Sequence, residues 1–241
     1  MNDATSPDVF ARALQERRKR AARRRLIALL ASIAAVVLLG VGVYLLYFSS
    51  VFVTRDVEVT GTNYLTVEQV LAQAQVPKEE PLALLDVSGI SSRIAELPEV
   101  AVVTVGRRFP GTVLIEITER QLVFQRVVGA KFQWVDGTGT VFRTADAAVA
   151  DAPLAAVDGD DPRLLRDVAT VVGHLPDAVR PDVKQIRARG VDDITVELAD
   201  GRRIVWGSAE DSQVKGEVLA VLLGTEAKVY DVSAPANPTT K

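Results

Sequence analysis

The sequence contains no cysteine and only one histidine, His174. Without cysteine it can form neither a disulfide framework nor a thiolate metal site, so its stability must come from packing. A single histidine excludes the paired spacing of zinc proteases, and no Gly-x-Ser-x-Gly, phosphate-binding or dinucleotide-binding motif is present. The sequence therefore indicates no catalytic, metal or cofactor site. We expect a protein that is not an enzyme and has no small-molecule substrate.

The remaining polar clusters have structural interpretations. His174 lies in a predicted helix, just before Leu175-Pro176, and is interpreted as structural. Gly137-Thr138-Gly139 joins two predicted strands rather than a strand and a helix, which favours a hairpin turn over a nucleotide loop. The carboxylate pairs Asp192-Asp193 and Glu79-Glu80 fall in predicted loops, where solvated charge is favoured over acid-base catalysis.

Basic residues are concentrated at the N-terminus. Residues 1–25 contain eight Lys and Arg against three Asp and Glu, although the whole chain has a net charge of -3. A basic flank orients an adjacent apolar helix with that flank in the cytoplasm, and it can also contact anionic lipid. We favour this interpretation over nucleic-acid binding and predict a cytoplasmic basic tail at 1–25.

One long apolar run follows the tail. Leu26 to Phe48 contains no charged residue, and at about 1.5 Å per residue it is long enough to cross a hydrocarbon core of ~30 Å. A cleavable signal peptide has a shorter apolar core of about 7 to 15 residues and a small-x-small cleavage site. We therefore predict an uncleaved membrane helix at 26–48, with the N-terminus in the cytoplasm and the C-terminal domains outside it.

The segment after the membrane helix predicts a small mixed unit. Residues alternate between apolar and polar in three short stretches, and two stretches between them repeat at helical spacing. The predicted elements are a strand at 54–60, a helix opened by a Thr66/Gln69 capping box, a helix after Ser88 or Ser91, and a hairpin of 100–105 and 112–118. This β-α-α-β-β order favours an α+β unit.

A second region begins near Gln121 and predicts short antiparallel strands with two helices. Strands are predicted at 122–128, 132–135, 141–142, 193–198, 203–206 and 228–232. One helix begins at Asp161-Pro162 and the other is capped by Ser208. Residues 234–241 contain Pro235 and Pro238 and are predicted to be a disordered tail.

With no chemistry indicated, an interaction function remains, and exposed sheet edges are its natural means. Val100 to Val105 and Lys228 to Val232 are the two candidate edge strands. Pairing of either strand inside its own sheet is equally compatible with the sequence.

Four segments, in order along the chain, resemble the FtsQ/DivIB family of bacterial cell-division proteins. Residues 102–120 read VVTVGRRFPGTVLIEITER, similar to the family's basic-aromatic-Pro-x-Thr turn leading to Glu-Arg. Residues 132–142, FQWVDGTGTVF, are similar to its β-domain signature, and Lys215 with 229–233, VYDVS, resembles its ending. The motif residues are Arg108, Pro110, Thr112, Glu119, Arg120, Asp136, Gly139, Phe142 and Lys215.

The resemblance implies an α+β protein in which a single N-terminal transmembrane helix precedes a β-α-α-β-β POTRA-like domain and a mixed, mainly antiparallel β domain with two helices. The implied domains are a tail at 1–25, the helix at 26–48, a POTRA-like domain at 52–120, a β domain at 121–233 and a tail at 234–241. The ending and the long basic tail look like the high-GC Gram-positive branch.

The resemblance also implies a function. It predicts a non-enzymatic scaffold of the divisome, in the cytoplasmic membrane at the septum, that links early and late division proteins. The implied partners are FtsB/FtsL-like membrane proteins, bound by strand addition at the C-terminal strand, which places Tyr230, Val232 and Ala234 at the contact. A POTRA-containing membrane assembly or transport factor is the alternative, although the two predicted helices argue against a barrel.

Overall fold

The computed structural model describes residues 7–241, and of residues 7–22, Leu46 and Phe48 it describes the backbone only. The described chain forms two compact units. One contains the chain up to Glu58 together with Gln75–Ile90 and Val105–Ile115, and the other contains Val59–Ala74, Ser91–Thr104 and Glu116–Lys241. This division does not follow the boundary expected near Gln121, and the domain limits stay a prediction.

The N-terminal helix α1 runs from Pro7 to Phe48. Among the described residues it is the one helix long and apolar enough to cross a membrane, and the candidate span is Arg23–Leu45. The side chains of that stretch are exposed, as expected for a helix whose packing partner is lipid. The candidate span therefore begins three residues before the predicted Leu26, and residues 7–25 of the predicted cytoplasmic tail belong to the same continuous helix.

The region after α1 that was predicted to form a small α+β unit has the predicted β-α-α-β-β order. Its three-stranded sheet has the order β1-β3-β2, so β2 is an edge strand. This confirms one of the two candidate edge strands, Val100 to Val105. The capping box is confirmed, since Gln69 N donates to Thr66 Oγ1 and Thr66 N donates to the Gln69 side chain. The elements are β1 Asp56–Thr60, α2 Val67–Ala74, α3 Val87–Ala95, β2 Val100–Arg108 and β3 Thr112–Glu119.

The second sheet has nine strands in the order β12-β11-β10-β9-β8-β7-β4-β5-β6. Most neighbours are antiparallel, and β4–β7, β7–β8 and β10–β11 are parallel. The strands are β4 Phe124–Val128, β5 Lys131–Val135, β6 Val141–Ala145, β7 Leu154–Val157, β8 Val183–Gly190, β9 Asp193–Leu198, β10 Arg203–Gly207, β11 Val229–Asp231 and β12 Thr239–Thr240. The mixed, mainly antiparallel sheet and its two helices agree with the expected fold class.

Two helices, α4 Pro162–His174 and α5 Ser212–Leu222, complete the core of this sheet. Helix α4 begins as predicted, with Asp161 accepting a hydrogen bond from Arg163 N. Its apolar stripe is buried with the strand residues Ile186 and Trp206. Burying each such side chain stabilises the fold by about 1.5–3 kcal/mol. His174 ends α4, and its ring Nδ1 lies 2.8 Å from Thr170 O, which agrees with a structural role.

The predicted start of α5 is wrong. Ser208 does not cap the helix, which begins at Ser212 after Asp211 in a left-handed conformation, with φ 53°. The intervening loop has another use, because the Ser212 hydroxyl donates to Ala209 O and accepts from Trp206 Nε1. These buried bonds fix the loop against β10 and delay the helix by one turn.

The tail at 234–241 is not disordered throughout. Asn237 N donates to Ala234 O in a turn that reverses the chain, and Thr239–Thr240 then pairs antiparallel with β11 as β12. Pro238 precedes this strand, a position where its missing N–H costs no ladder bond, and the two threonines are β-branched. The strand Lys228 to Val232, a candidate edge from the sequence, is therefore interior.

Candidate functional site

The first group of motif residues forms the hairpin between β2 and β3. Gly111 O accepts hydrogen bonds from Arg55 N at 2.9 Å and from Asp56 N at 3.3 Å. A Cβ on Gly111 would lie 2.6 Å from Val53 O, so this close approach requires glycine. The hairpin tip is thereby fixed to the segment just after the membrane helix.

The side chains of this hairpin contribute less than its backbone. The Arg108 guanidinium pairs with Glu58, but both side chains are about half exposed, which limits the pair to a small contribution to stability. The Phe109–Pro110 peptide is cis, and Thr112 is half-buried at the start of β3. The predicted residues Arg108, Pro110 and Thr112 thus shape a turn and form no concave site.

Glu119, at the end of β3, binds the loop that precedes α2. Its carboxylate accepts three backbone hydrogen bonds, from Asn63 N at 3.0 Å, Tyr64 N at 2.7 Å and Leu65 N at 2.8 Å. Three converging N–H groups favour an ionised carboxylate, because its hydrogen bonds are stronger than those of a neutral acceptor. Glu119 therefore holds this loop in place.

We expect Glu119→Gln to lower the free energy of unfolding by about 1–3 kcal/mol, because the glutamine NH2 would face a backbone N–H and leave it unsatisfied. The comparison is Glu116→Gln on the same strand, where the side chain is exposed and has no such contacts. Urea unfolding of the purified full-length chain in detergent measures both variants. Equal effects of the two substitutions would contradict this role for Glu119.

Arg120 and Asp136 form the second group. Arg120 Nη1 donates to Asp136 Oδ2 at 2.6 Å, and Arg120 Nε donates to Pro98 O at 3.0 Å. The other carboxylate oxygen, Asp136 Oδ1, accepts from Thr138 N, Thr138 Oγ1 and Thr140 N, all within 2.9 Å. Burial alone raises the pKa of Asp136, but the hydrogen bonds from Thr138, Arg120 and Thr140 together hold it below 3.8. Asp136 is therefore the ionised centre of a turn.

Gly139 and Phe142 complete the turn between β5 and β6. Gly139 has φ +79°, and a Cβ there would lie 2.5 Å from Arg166 N, so only glycine fits beside α4. The buried Phe142 ring packs against Trp134 and Tyr64 at centroid distances of 6.1 and 6.3 Å. The predicted motif residues of this region are thus brought together by packing.

An aromatic cluster around Phe142 was missed from the sequence. Tyr64 and Trp134 meet edge to face at 5.3 Å, and the Arg143 guanidinium lies 5.4 Å from the Tyr64 centroid and 5.2 Å from that of Trp134. Such contacts are worth about 0.5–1 kcal/mol each. The only sequence signal was the spacing of Phe132, Trp134 and Phe142, because Tyr64 is distant along the chain.

Lys215 is buried, with 2 % of its surface exposed. Burial lowers the pKa of its ammonium group, which donates to Ser208 O at 2.8 Å. A further contact to Ser208 Oγ is 3.4 Å long. Lys215 therefore links α5 to the loop before it. Its buried side chain is not on a surface that a partner protein could contact.

The predicted partner-binding residues Tyr230, Val232 and Ala234 do not share a surface. Tyr230 and Val232 are buried at 1 % and 0 % exposure, and the Tyr230 hydroxyl donates to Thr225 O. Val232 N donates to Val205 O of the neighbouring β10. Only Ala234 is exposed, so any contact through this strand must use backbone groups or the exposed residues beside it.

The backbone edge of β11 is covered by the chain's own tail. Lys241 O accepts from Lys228 N at 2.7 Å and from Val229 N at 2.9 Å, and Lys241 N donates to Val229 O at 2.9 Å. Tyr230 lies opposite Thr240, and Asp231 lies opposite Thr239. Both threonines are exposed, so β12 forms the outer edge of the sheet. This strand was not predicted from the sequence.

Few charged side chains line a cleft that the described residues form beside the end of α4. A cleft of about 680 Å³ beside the end of α4 has Asp151 and Arg180 as its only charged lining residues. Across residues 23–241, apart from Leu46 and Phe48, the structure groups no three His, Asp or Glu side chains in a way that could hold a metal ion. The geometry offers hydrogen-bonding edges and no constellation of titratable groups.

Sequence comparison identifies related proteins over almost the whole chain. Residues 52–120 match the POTRA domain of FtsQ type, and residues 125–233 match the C-terminal domain of the cell division protein FtsQ/DivIB. The cell division protein FtsQ of Streptomyces venezuelae is 37 % identical over 88 % of this chain and 82 % of its own length. FtsQ of Streptomyces bingchenggensis is 38 % identical over 92 % and 88 %.

A solved structure was also found. The major extracytoplasmic domain of DivIB from Geobacillus stearothermophilus, in its trans isomer, covers 50 % of this chain and 98 % of its own, with 17 % identity and a TM-score of 0.36. At that score the overlap carries no argument about this chain.

Proposed function

Since this chain belongs to the FtsQ/DivIB family of bacterial cell division proteins, we propose that it is a non-enzymatic scaffold of the divisome. It links early and late division proteins at the septum through contacts of its POTRA-like domain, 52–120, and its β domain, 121–233. The basic residues in the N-terminal part of α1, before its apolar stretch, favour a cytoplasmic N-terminus, with both domains outside. The observation that best supports a scaffold is one edge of the nine-stranded sheet. The outermost strand there, β12, is only two residues long.

The proposed contact is strand addition at β11. A partner strand replaces β12 and takes over the N–H of Lys228 and the N–H and C=O of Val229 that Lys241 now satisfies. Each of these backbone bonds contributes about 0.5–1.5 kcal/mol. A strand of only two residues can be displaced by a longer partner strand, and FtsB/FtsL-like membrane proteins are the proposed partners.

The side chains proposed to contact the partner protein differ from those predicted from the sequence. Tyr230 and Val232 are buried in the core, whereas Lys228, just before β11, and Ala234, three residues after it, are exposed. Crosslinking groups placed at Lys228 and Ala234 are therefore expected to capture the partner, and a group at Tyr230 is not. Proline at position 232 would be a poor test, because it removes the bond from Val232 N to Val205 O inside the protein's own sheet.

The proposed function is tested in dividing cells of a high-GC Gram-positive host. A fluorescently tagged copy is expected at mid-cell before constriction, and it is expected to co-purify with FtsB/FtsL-like proteins. Depletion is expected to block septation and yield elongated cells. Uniform envelope localisation together with normal septation on depletion would rule out the scaffold.

A further inference from the structure

An apolar cluster lies immediately after the membrane helix. The tip cluster consists of Val51 and Phe52, in a short 3-10 turn, and Phe109 at the end of the β2–β3 hairpin. The Phe52 and Phe109 rings meet edge to face at 6.1 Å. Yet Val51 remains 48 % exposed and Phe109 51 % exposed. Two large apolar side chains of the tip cluster are therefore about half exposed.

The position of this cluster is set by the chain itself. Helix α1 ends at Phe48, and Ser49 N still donates to Leu45 O. Val51 follows three residues later, and three residues span at most about 11 Å. Phe109 cannot lie far from there, because Gly111 O is bonded to Arg55 N and Asp56 N. If α1 crosses the bilayer, the tip cluster lies within reach of its headgroup layer, about 5–8 Å thick.

The charges around the tip cluster are balanced. Segments 53–58, 78–80 and 105–111 contain four basic residues and four acidic ones. Arg108 is paired with Glu58, and Arg55 Nη2 donates to Ser50 O at 2.7 Å. The surface therefore has no excess positive charge that would select anionic lipid, and its exposed apolar side chains are the feature that fits a membrane.

From these observations we infer that the tip cluster inserts into the interfacial layer of the bilayer that α1 crosses. Its partner is the boundary between headgroups and acyl chains of ordinary phospholipid, where aromatic side chains are favoured. Insertion gives the hairpin a second membrane contact beside α1, so the segments bonded to it are held at the surface. The inference rests on α1 as the membrane span and does not depend on the scaffold function.

The inference is tested with the full-length chain in nanodiscs of phosphatidylcholine. Phe109→Trp places a fluorophore in the tip cluster, and Val102→Trp places one at an exposed site seven residues earlier on β2. Fluorescence is taken as the difference from the parent chain, which already contains Trp134 and Trp206. Retention of the chain in the lipid fraction after an alkaline wash checks α1 separately.

Brominated acyl chains are expected to quench the tryptophan at 109 several-fold more than that at 102, with a blue-shifted emission and no effect of salt or anionic lipid. Equal quenching of both sites by aqueous iodide would overturn the inference. So would protection of site 109 from both quenchers, which would mean that protein covers the tip cluster. Lipid quenching that disappears at high salt would assign the contact to arginines and would also overturn apolar insertion.

Discussion

Replacing Asp136 with alanine is expected to lower the free energy of unfolding by about 3 kcal/mol. The alanine leaves Arg120, whose side chain is 23 % exposed, without its carboxylate partner. It also leaves the N–H groups of Thr138 and Thr140 without their acceptor. Urea unfolding of the full-length chain, followed by the fluorescence of Trp134 and Trp206, measures the loss.

The control is a carboxylate with little burial. Asp146 pairs with Lys131 at 3.4 Å, but its side chain is 90 % exposed, so Asp146→Ala is expected to cost less than about 0.5 kcal/mol. If both alanine variants lose the same stability, the buried network around Asp136 has no special role.

The stabilisation by Asp136 also depends on pH. Since its pKa in the folded protein lies below the ordinary 3.8, its ionised form is favoured by folding. The contribution is complete above that value and is lost as the pH falls through the folded pKa. The difference in stability between the parent and Asp136→Asn should therefore be constant near neutral pH and shrink below about pH 3.8.

Deleting residues 237–241 is expected to raise the affinity for an FtsB/FtsL-like partner about tenfold, because the partner no longer has to displace β12. Tenfold corresponds to about 1.4 kcal/mol, close to the lower limit of about 1.5 kcal/mol for the three backbone bonds that Lys241 makes to Lys228 and Val229. The measurement is a titration of the reconstituted full-length chain and its deletion variant with the partner's extracytoplasmic segment.

The matched control keeps the tail and its backbone bonds. Thr239→Ala combined with Thr240→Ala changes two exposed side chains without removing any N–H or C=O group, so its affinity should stay close to that of the parent. A lower affinity after deletion would show that the partner pairs with β12 itself, and an unchanged affinity would show that it binds elsewhere. Either outcome contradicts strand replacement and leaves the cell-division role to be judged by localisation.

Elements whose signals are local could be predicted from the sequence. The capping box at Thr66, the Asp161-Pro162 start of α4 and the β9–β10 hairpin each depend on residues within one turn or one short loop. Strands β7 and β8 were missed because their apolar signal is weak. Only Ala155 is buried in β7, and only Ile186 and Ala188 in β8. A strand whose inward residues are alanines shows little alternation.

The motif residues were located by resemblance, but their roles required the fold. Glu119 contacts a loop 54 to 56 residues away, and Asp136 is paired with a residue 16 positions earlier. No spacing rule connects such positions.

The terminal strand shows the opposite case. Alternation predicted β11, yet only the structure shows that Tyr230 and Val232 face inward and that the tail returns to cover the edge.

The short connection after α1 has a mechanical consequence. Helix α1 ends at Phe48 and Ser49 is extended, but Ser49 N donates to Leu45 O and the Ser49 hydroxyl accepts from Val51 N. Arg55 Nη2 also donates to Ser50 O, so these bonds restrict rotation at this joint. Each residue of an α-helix advances the azimuth by about 100°. The direction, measured around the helix axis, in which the hairpin points is therefore set by the number of residues in the helix. One residue more or fewer turns it by more than a right angle, whereas seven nearly restore the phase.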